Sequence, residues 1–255
     1  MQGTVSRMMR IACMFCLLSL FSCSAGMEKD FAVWTDGYAL PADKEIELGG
    51  ENSVYNVYRP GVTFEDALLL PVEQNTYARV ENISHIMIHF MSAIICHPDD
   101  PFNIPYIQEN FYQSGASVHY VIGRNGTIYR MVNESYVAWH AGKGSWEGKE
   151  SYTNRMNHYA VGIELLGIGS QRDMSIMMSG EYYESIDPSY IGFTEEQYVS
   201  LAALVEDICA RHDIPKDRSH VLGHQDYTSR KTDPGELFDW TKIGLPPNAP
   251  EVDEP

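Results

Sequence analysis

The chain has 255 residues, 44% of them apolar and 21% charged, which is enough to bury one sizeable core and too apolar for a disordered protein. Its formal charge of −17 argues against nucleic acid or anionic headgroups as general partners, because such a surface repels polyanions. One domain with extensions is the expectation.

The first 22 residues hold Arg7 and Arg10, no acid, and an apolar run from Ile11 to about Phe21. That run is short for a bilayer span, and with its basic flank it reads as a secretory signal peptide. It ends in Leu20, Phe21, Ser22 and Cys23, which resemble a bacterial lipobox, so Cys23 is the expected lipidation site. An ordinary cleaved signal with an incidental cysteine is the alternative. Acyl chains would anchor the protein stably, since each buried methylene contributes about 0.8 kcal/mol. Loss of residues 1–22 removes Arg7 and Arg10, taking the charge from −17 to −19, and leaves only Cys96 and Cys209 besides Cys23. Those two could pair in an oxidising compartment, or remain free thiols with Cys209 on the apolar side of a helix. Residues 23–50 read as a lipid-anchored linker, 51–245 as the folded domain and 246–255 as a C-terminal tail.

Residues 85–90, "HIMIHF", predict a short buried strand with His89 near its C-terminal end. "SVHYVIGRNGTIYRMV" predicts a hairpin, two alternating runs joined through Asn125-Gly126, a dipeptide suited to the positive φ of a tight turn. Residues 160–167, "AVGIELLG", read as another strand, unusual for Glu164 in its apolar middle. Residues 168–192 break the regularity. They form a long, Met- and Tyr-rich connection compatible with either a lid or a surface insertion. A long helix follows, with Thr194 and Gln197 as a capping box, Phe193 stapled onto Tyr198, and Tyr198, Leu201, Val205 and Ile208 as a core stripe. Pro215 lies beyond it, and "HVLGHQD" predicts a last short strand. This order predicts an α/β fold, a mixed central β-sheet flanked by helices.

That strand runs into "GHQDYTSRKTDPG", residues 223–235, which groups His224, Lys231 and Asp233 where no regular element is expected. Asp-Pro-Gly is also ordinary turn chemistry. A hydrolytic zinc site needs three protein ligands and an open position, a base for water, and a cation for the developing oxyanion. With nine histidines and neither HExxH nor paired CxxC, spacing alone leaves zinc undecided.

Taken together and in order, "HIMIHF", "ASVHYVIGRNGTIYRMV" with "AWHAGKGSW", "NHYAVGIELLG" and "VLGHQDYTSRKTDPGELFDW" resemble the successive motifs of zinc-dependent N-acetylmuramoyl-L-alanine amidases. These share their fold with peptidoglycan-recognition proteins, and the lipobox points to the outer-membrane lipoprotein members. The resemblance, over about His85 to Trp240, implies that residues 51–245 are a zinc amidase domain. It implies His89, His224 and Asp233 as Zn2+ ligands, Glu164 as catalytic acid/base and Lys231 as catalytic lysine. It places His119, Trp139 and His140 near a substrate groove as candidate binding residues, although each could equally be packing. The implied partner is peptidoglycan or its muropeptides, reached from a lipid anchor facing the periplasm, with no nucleic acid involved. The alternative is a non-catalytic peptidoglycan-binding envelope lipoprotein, as arises in this fold when a zinc ligand is lost. The sequence departs from the family at Phe90, where recognition proteins often carry a second histidine, and at Val118, where some phage members carry a catalytic tyrosine. The span from His224 to Asp233 is also tighter than in relatives, and the connection 168–192 is longer than expected.

Overall fold

The computed structural model describes residues 61–69 and 77–247. The expected signal peptide, Cys23, the linker 23–50 and most of the expected tail lie outside the described residues.

Among the described residues eight strands and five α-helices follow in chain order: β1 (Glu65–Asp66), β2 (Tyr77–Ala78), β3 (His85–Met91), α1 (Ile104–Ser114), β4 (Tyr120–Ile122), β5 (Ile128–Arg130), β6 (Tyr136–Val137), β7 (Ala160–Leu166), α2 (Gln171–Met174), α3 (Gly180–Glu184), α4 (Glu195–His212), β8 (Val221–Gly223) and α5 (His224–Tyr227). The main sheet is mixed, in the order β1-β5-β4-β7-β3-β8, with β4, β7, β3 and β8 mutually parallel and β5 antiparallel to β4. β2 and β6 form a separate two-stranded ribbon. The mixed sheet, the hairpin and the three predicted single strands all appear.

Side-chain alternation along β3 and β7 sorts the two faces of the sheet. Ile86, Ile88, Tyr120, Ile122, Val161, Ile163 and Leu165 point to one side and pack with Leu201, Leu204, Val205 and Ile208 of α4 in one buried cluster. Burial of such aliphatic side chains contributes roughly 1.5–3 kcal/mol each. Thr194 and Gln197 form the predicted capping box, and the Phe193 and Tyr198 rings meet edge-on at 6.2 Å. The hairpin turn brings Gly126, at φ +80°, so close to α4 that a Cβ there would lie 2.8 Å from Glu196 O.

On the other face lie Met87 and His89 of β3 and Gly162, Glu164 and Leu166 of β7. Here α1 covers part of the sheet, Ile107 and Phe111 packing with Val121 and Leu166. The sequence signal for α1 is weak because only Ile107 and Phe111 are buried, although a proline in its first turn and Gly115 in the left-handed region bracket it.

Residues 168–192 are not an open loop. Ser170 and Asp173 cap α2, Ile168, Met174 and Ile186 pack with Ile94, and Tyr182 Oη donates to Ile94 O at 3.0 Å. The expectation of an element-free stretch after His224 is also corrected, since His224–Tyr227 forms one helical turn. Cys209 is a buried thiol that is not bonded to Cys96, and burial pushes it up to about 11.

Candidate metal centre and active site

Parallel strands gather chemistry at their C-terminal ends, and three elements meet there. His89 is the fifth residue of β3, Glu164 lies directly beside it in the β3–β7 register, and His224 follows the last residue of β8. The chain then turns back, with Gln225 N donating to Asp233 O at 2.9 Å, so the tight span closes on itself. The connection 168–192 buttresses this return, because Asp173 Oδ2 accepts from Glu236 N at 3.2 Å and Thr232 Oγ1 donates to Asp173 O at 3.3 Å.

Three donor atoms converge as a result. His89 Nδ1 and His224 Nδ1 are 3.1 Å apart, and Asp233 Oδ2 lies 2.8 Å from the first and 3.0 Å from the second. This trio is the metal-competent cluster of histidine, cysteine and acidic groups among the described residues. The outer nitrogens assign the tautomers: His224 Nε2 donates to Ala141 O at 3.0 Å, which leaves Nδ1 with a lone pair. Burial lowers His89 to about 4, so its ring is neutral at pH 7. Burial alone would raise the Asp233 carboxyl, but His224 and His89 hold it well below the usual carboxylate range. Two imidazole nitrogens and a carboxylate oxygen, all within 4.8 Å of one another, aim at one point. The donor set therefore fits a divalent metal ion.

The trio opens onto a cleft of about 210 Å³ that Glu164, Lys231, Trp139 and His140 also line. Glu164 Oε2 is shut off from solvent and has no hydrogen-bond partner. Burial, and next the charge of Asp233, push its carboxyl well above the usual carboxylate range, while Lys231 opposes the shift. A proton acceptor poised in this way beside a metal-competent donor set is suited to general acid/base work. Met174, Ile176 and Met177 of the 168–192 connection and Asn110 and Ser114 of α1 also line the cleft. None of these carried a sequence signal for function, since apolar methionines and α1 polar residues acquire a role only by facing the trio.

The structure brings together His89, His224, Asp233, Glu164, Lys231, Trp139 and His140. It corrects His119. That side chain is on the same sheet face but fully buried, with Nδ1 accepting from Gly162 N at 3.0 Å and Nε2 beside Tyr136 O and the Arg79 guanidinium. His140 lies between it and the cleft, the two rings 5.8 Å apart, so His119 is a packing residue.

The family model described as N-acetylmuramoyl-L-alanine amidase matches residues 79–236. The chain is 32% identical over 179 residues to the 1,6-anhydro-N-acetylmuramyl-L-alanine amidase AmpD of Haemophilus influenzae, covering 64% of this chain and 81% of that protein. It is 28% identical over 205 residues to the N-acetylmuramoyl-L-alanine amidase AmiD of Escherichia coli K12, covering 75% of this chain and 65% of that one. A crystal structure of a selenomethionine AmpD derivative superposes with a TM-score of 0.52 at 27% identity, covering 71% of this chain and 92% of the other.

Proposed function

The chain belongs to the N-acetylmuramoyl-L-alanine amidase family, and on that premise we propose that it is a zinc hydrolase cutting the amide between the lactyl group of N-acetylmuramic acid and L-alanine in peptidoglycan or its fragments. The observation that carries this reading is the meeting of His89, His224 and Asp233 in one cleft with the unpaired carboxyl of Glu164 and with Lys231. A binding module built on this fold would have no use for the last two.

His89, His224 and Asp233 would hold the ion, which when bound supplies a Lewis acid and lowers the pKa of water towards about 7. Glu164 Oε2 takes a proton from the attacking water and returns it to the departing alanine nitrogen. Its raised proton affinity suits both directions of that transfer. Lys231 Nζ donates to the lactyl oxygen as negative charge grows there. Trp139 and His140 form the cleft wall against which the substrate rests. The full chain, incubated with purified peptidoglycan sacculi, is expected to release stem peptides that carry a new free L-alanine amine. Chelation should abolish the release and added Zn2+ restore it. Cleavage of glycan bonds alone, or undiminished activity after complete metal removal, would overturn the reading.

The reading includes an anchor. Among the described residues no helix is long and apolar enough to cross a membrane. The basic and apolar segment ending in Leu20-Phe21-Ser22-Cys23 supports lipidation at Cys23 and a place in the bacterial envelope, on the outer membrane facing the periplasm. Cells expressing the chain should incorporate a clickable fatty acid into it, and Cys23→Ala should lose the label; label retained by that variant would refute the anchor.

A further inference from the structure

An imidazole offers a lone pair to a cation at one nitrogen only while the other carries the proton, and whatever accepts that proton sets the ring's orientation. Here the outer nitrogens of both candidate imidazole ligands meet consecutive residues of one loop. His89 Nε2 lies 3.0 Å from His140 Nδ1, and His224 Nε2 lies 3.0 Å from Ala141 O. His140 can accept at Nδ1 only as the tautomer protonated at Nε2, and that Nε2 is buried without a hydrogen-bond partner.

The loop is itself held from behind. Asn157 Oδ1, on a residue only 7% exposed, accepts from both His140 N at 3.0 Å and Ala141 N at 2.8 Å. Trp139 N, one residue earlier, donates to Ser117 Oγ at 2.9 Å. The His140 ring rests on Gly162, where an added Cβ would lie 2.6 Å from His140 Cγ. Gly162 stands two residues before Glu164 on the same face of β7, so the absent side chain makes the seat for the ring beside the acid/base carboxyl.

We infer that Asn157, His140 and the Ala141 carbonyl, seated on Gly162, form a positioning unit that sets the tautomer and orientation of His89 and His224 together. The inference rests on the zinc reading above and adds residues that touch neither ion nor reacting atoms through this role. One asparagine side chain thereby governs two ligands that stand 135 residues apart.

The test measures Zn2+ affinity of the full chain by competition with a chromophoric chelator, the visible absorption of the Co2+-loaded chain, and the Tm of the metal-free chain. His140→Phe and Asn157→Leu are each expected to weaken Zn2+ binding 10- to 100-fold and to alter the Co2+ bands. Gly162→Ala, which leaves every donor atom in place, should weaken binding in the same direction by displacing the ring. His140→Asn, whose Oδ1 can stand where Nδ1 stood, should restore affinity to within about threefold of the unaltered chain. Metal-free Tm should move far less than affinity in Gly162→Ala and His140→Asn. Affinity and Co2+ bands unchanged in His140→Phe, or in Gly162→Ala if the former does not fold, would overturn the positioning role. Failure of the unaltered chain to bind Zn2+ would instead overturn the zinc reading.

Discussion

Glu164→Gln is expected to lower kcat by about 10³-fold while Zn2+ stays bound, and at the same time to raise the Tm of the metal-free chain at pH 7 by a few degrees. The loss follows because Gln cannot take a proton from water, and the retained metal because Glu164 is not among the three converging donors. The gain in stability follows from the same buried position that makes the group useful. Burial, then Asp233, raise the carboxyl of the folded chain well above its ordinary value of 4.5. The unfolded chain therefore releases this proton at a lower pH than the folded one. From about pH 4.5 upward, ionisation favours the unfolded state, so stability contributed by the neutral carboxyl falls as pH rises towards the folded value. Glutamine has no such charge to bury. Thermal melts of the metal-free chains should separate at pH 7 and converge below about pH 4. Turnover within tenfold of the unaltered chain, or a lower Tm for Glu164→Gln at pH 7, would refute the assignment of this residue as buried acid/base.

Glu134→Ala is expected to cost about 3–5 kcal/mol of folding stability, because it removes the fully buried carboxylate on which Tyr120, Arg211 and His212 converge and leaves Arg211 with Asp207 as its one carboxylate partner. Glu134 is fully buried after β5. Its carboxylate accepts two bonds from Arg211 at 2.8 Å each, one from Tyr120 Oη at 2.5 Å, and lies 2.5 Å from His212 Nε2. These contacts fasten the C-terminal turn of α4 to the hairpin, on the sheet face opposite the cleft. Burial alone would raise this carboxyl, but Arg211 and His212 hold it well below the usual carboxylate range. A depressed folded value means that the contribution is complete above the ordinary 4.5 and is lost as pH falls towards the folded value. Denaturant titrations should thus show the full penalty at pH 7 and a smaller one in strong acid. A penalty under about 1 kcal/mol at pH 7 would show that the cluster does not hold α4 in place.

Glu134 also marks where sequence reading stops. Nothing local distinguishes it from an ordinary loop acid, since its three partners come from β4 and α4 and only the packed sheet assembles them. His119 shows the converse failure. Its motif and its place on the strand face are those of a groove residue, but depth is decided by the loop carrying His140, which the chain lays over it. The connection 168–192 looks irregular because its helices are one turn long and its buried residues belong to a small separate cluster with Ile94. Short helices carry too few periods for a pattern to register.

What the sequence determined by itself is what neighbours along the chain can encode. Strands β3, β4, β5 and β7, the Asn125-Gly126 turn and the capped α4 are written in spacings of two and of three to four residues and in local side-chain hydrogen bonds. Which residues bring three donor atoms together was also legible, but only through motif resemblance, since His89 and Asp233 stand 144 residues apart. Tertiary structure decided the rest. Register between β3 and β7 sets His89 beside Glu164, the turn after β8 returns Asp233 to His224, and Gly162 admits the His140 ring. These are long-range contacts whose free energy is gained only after the sheet has formed, and so no local pattern records them.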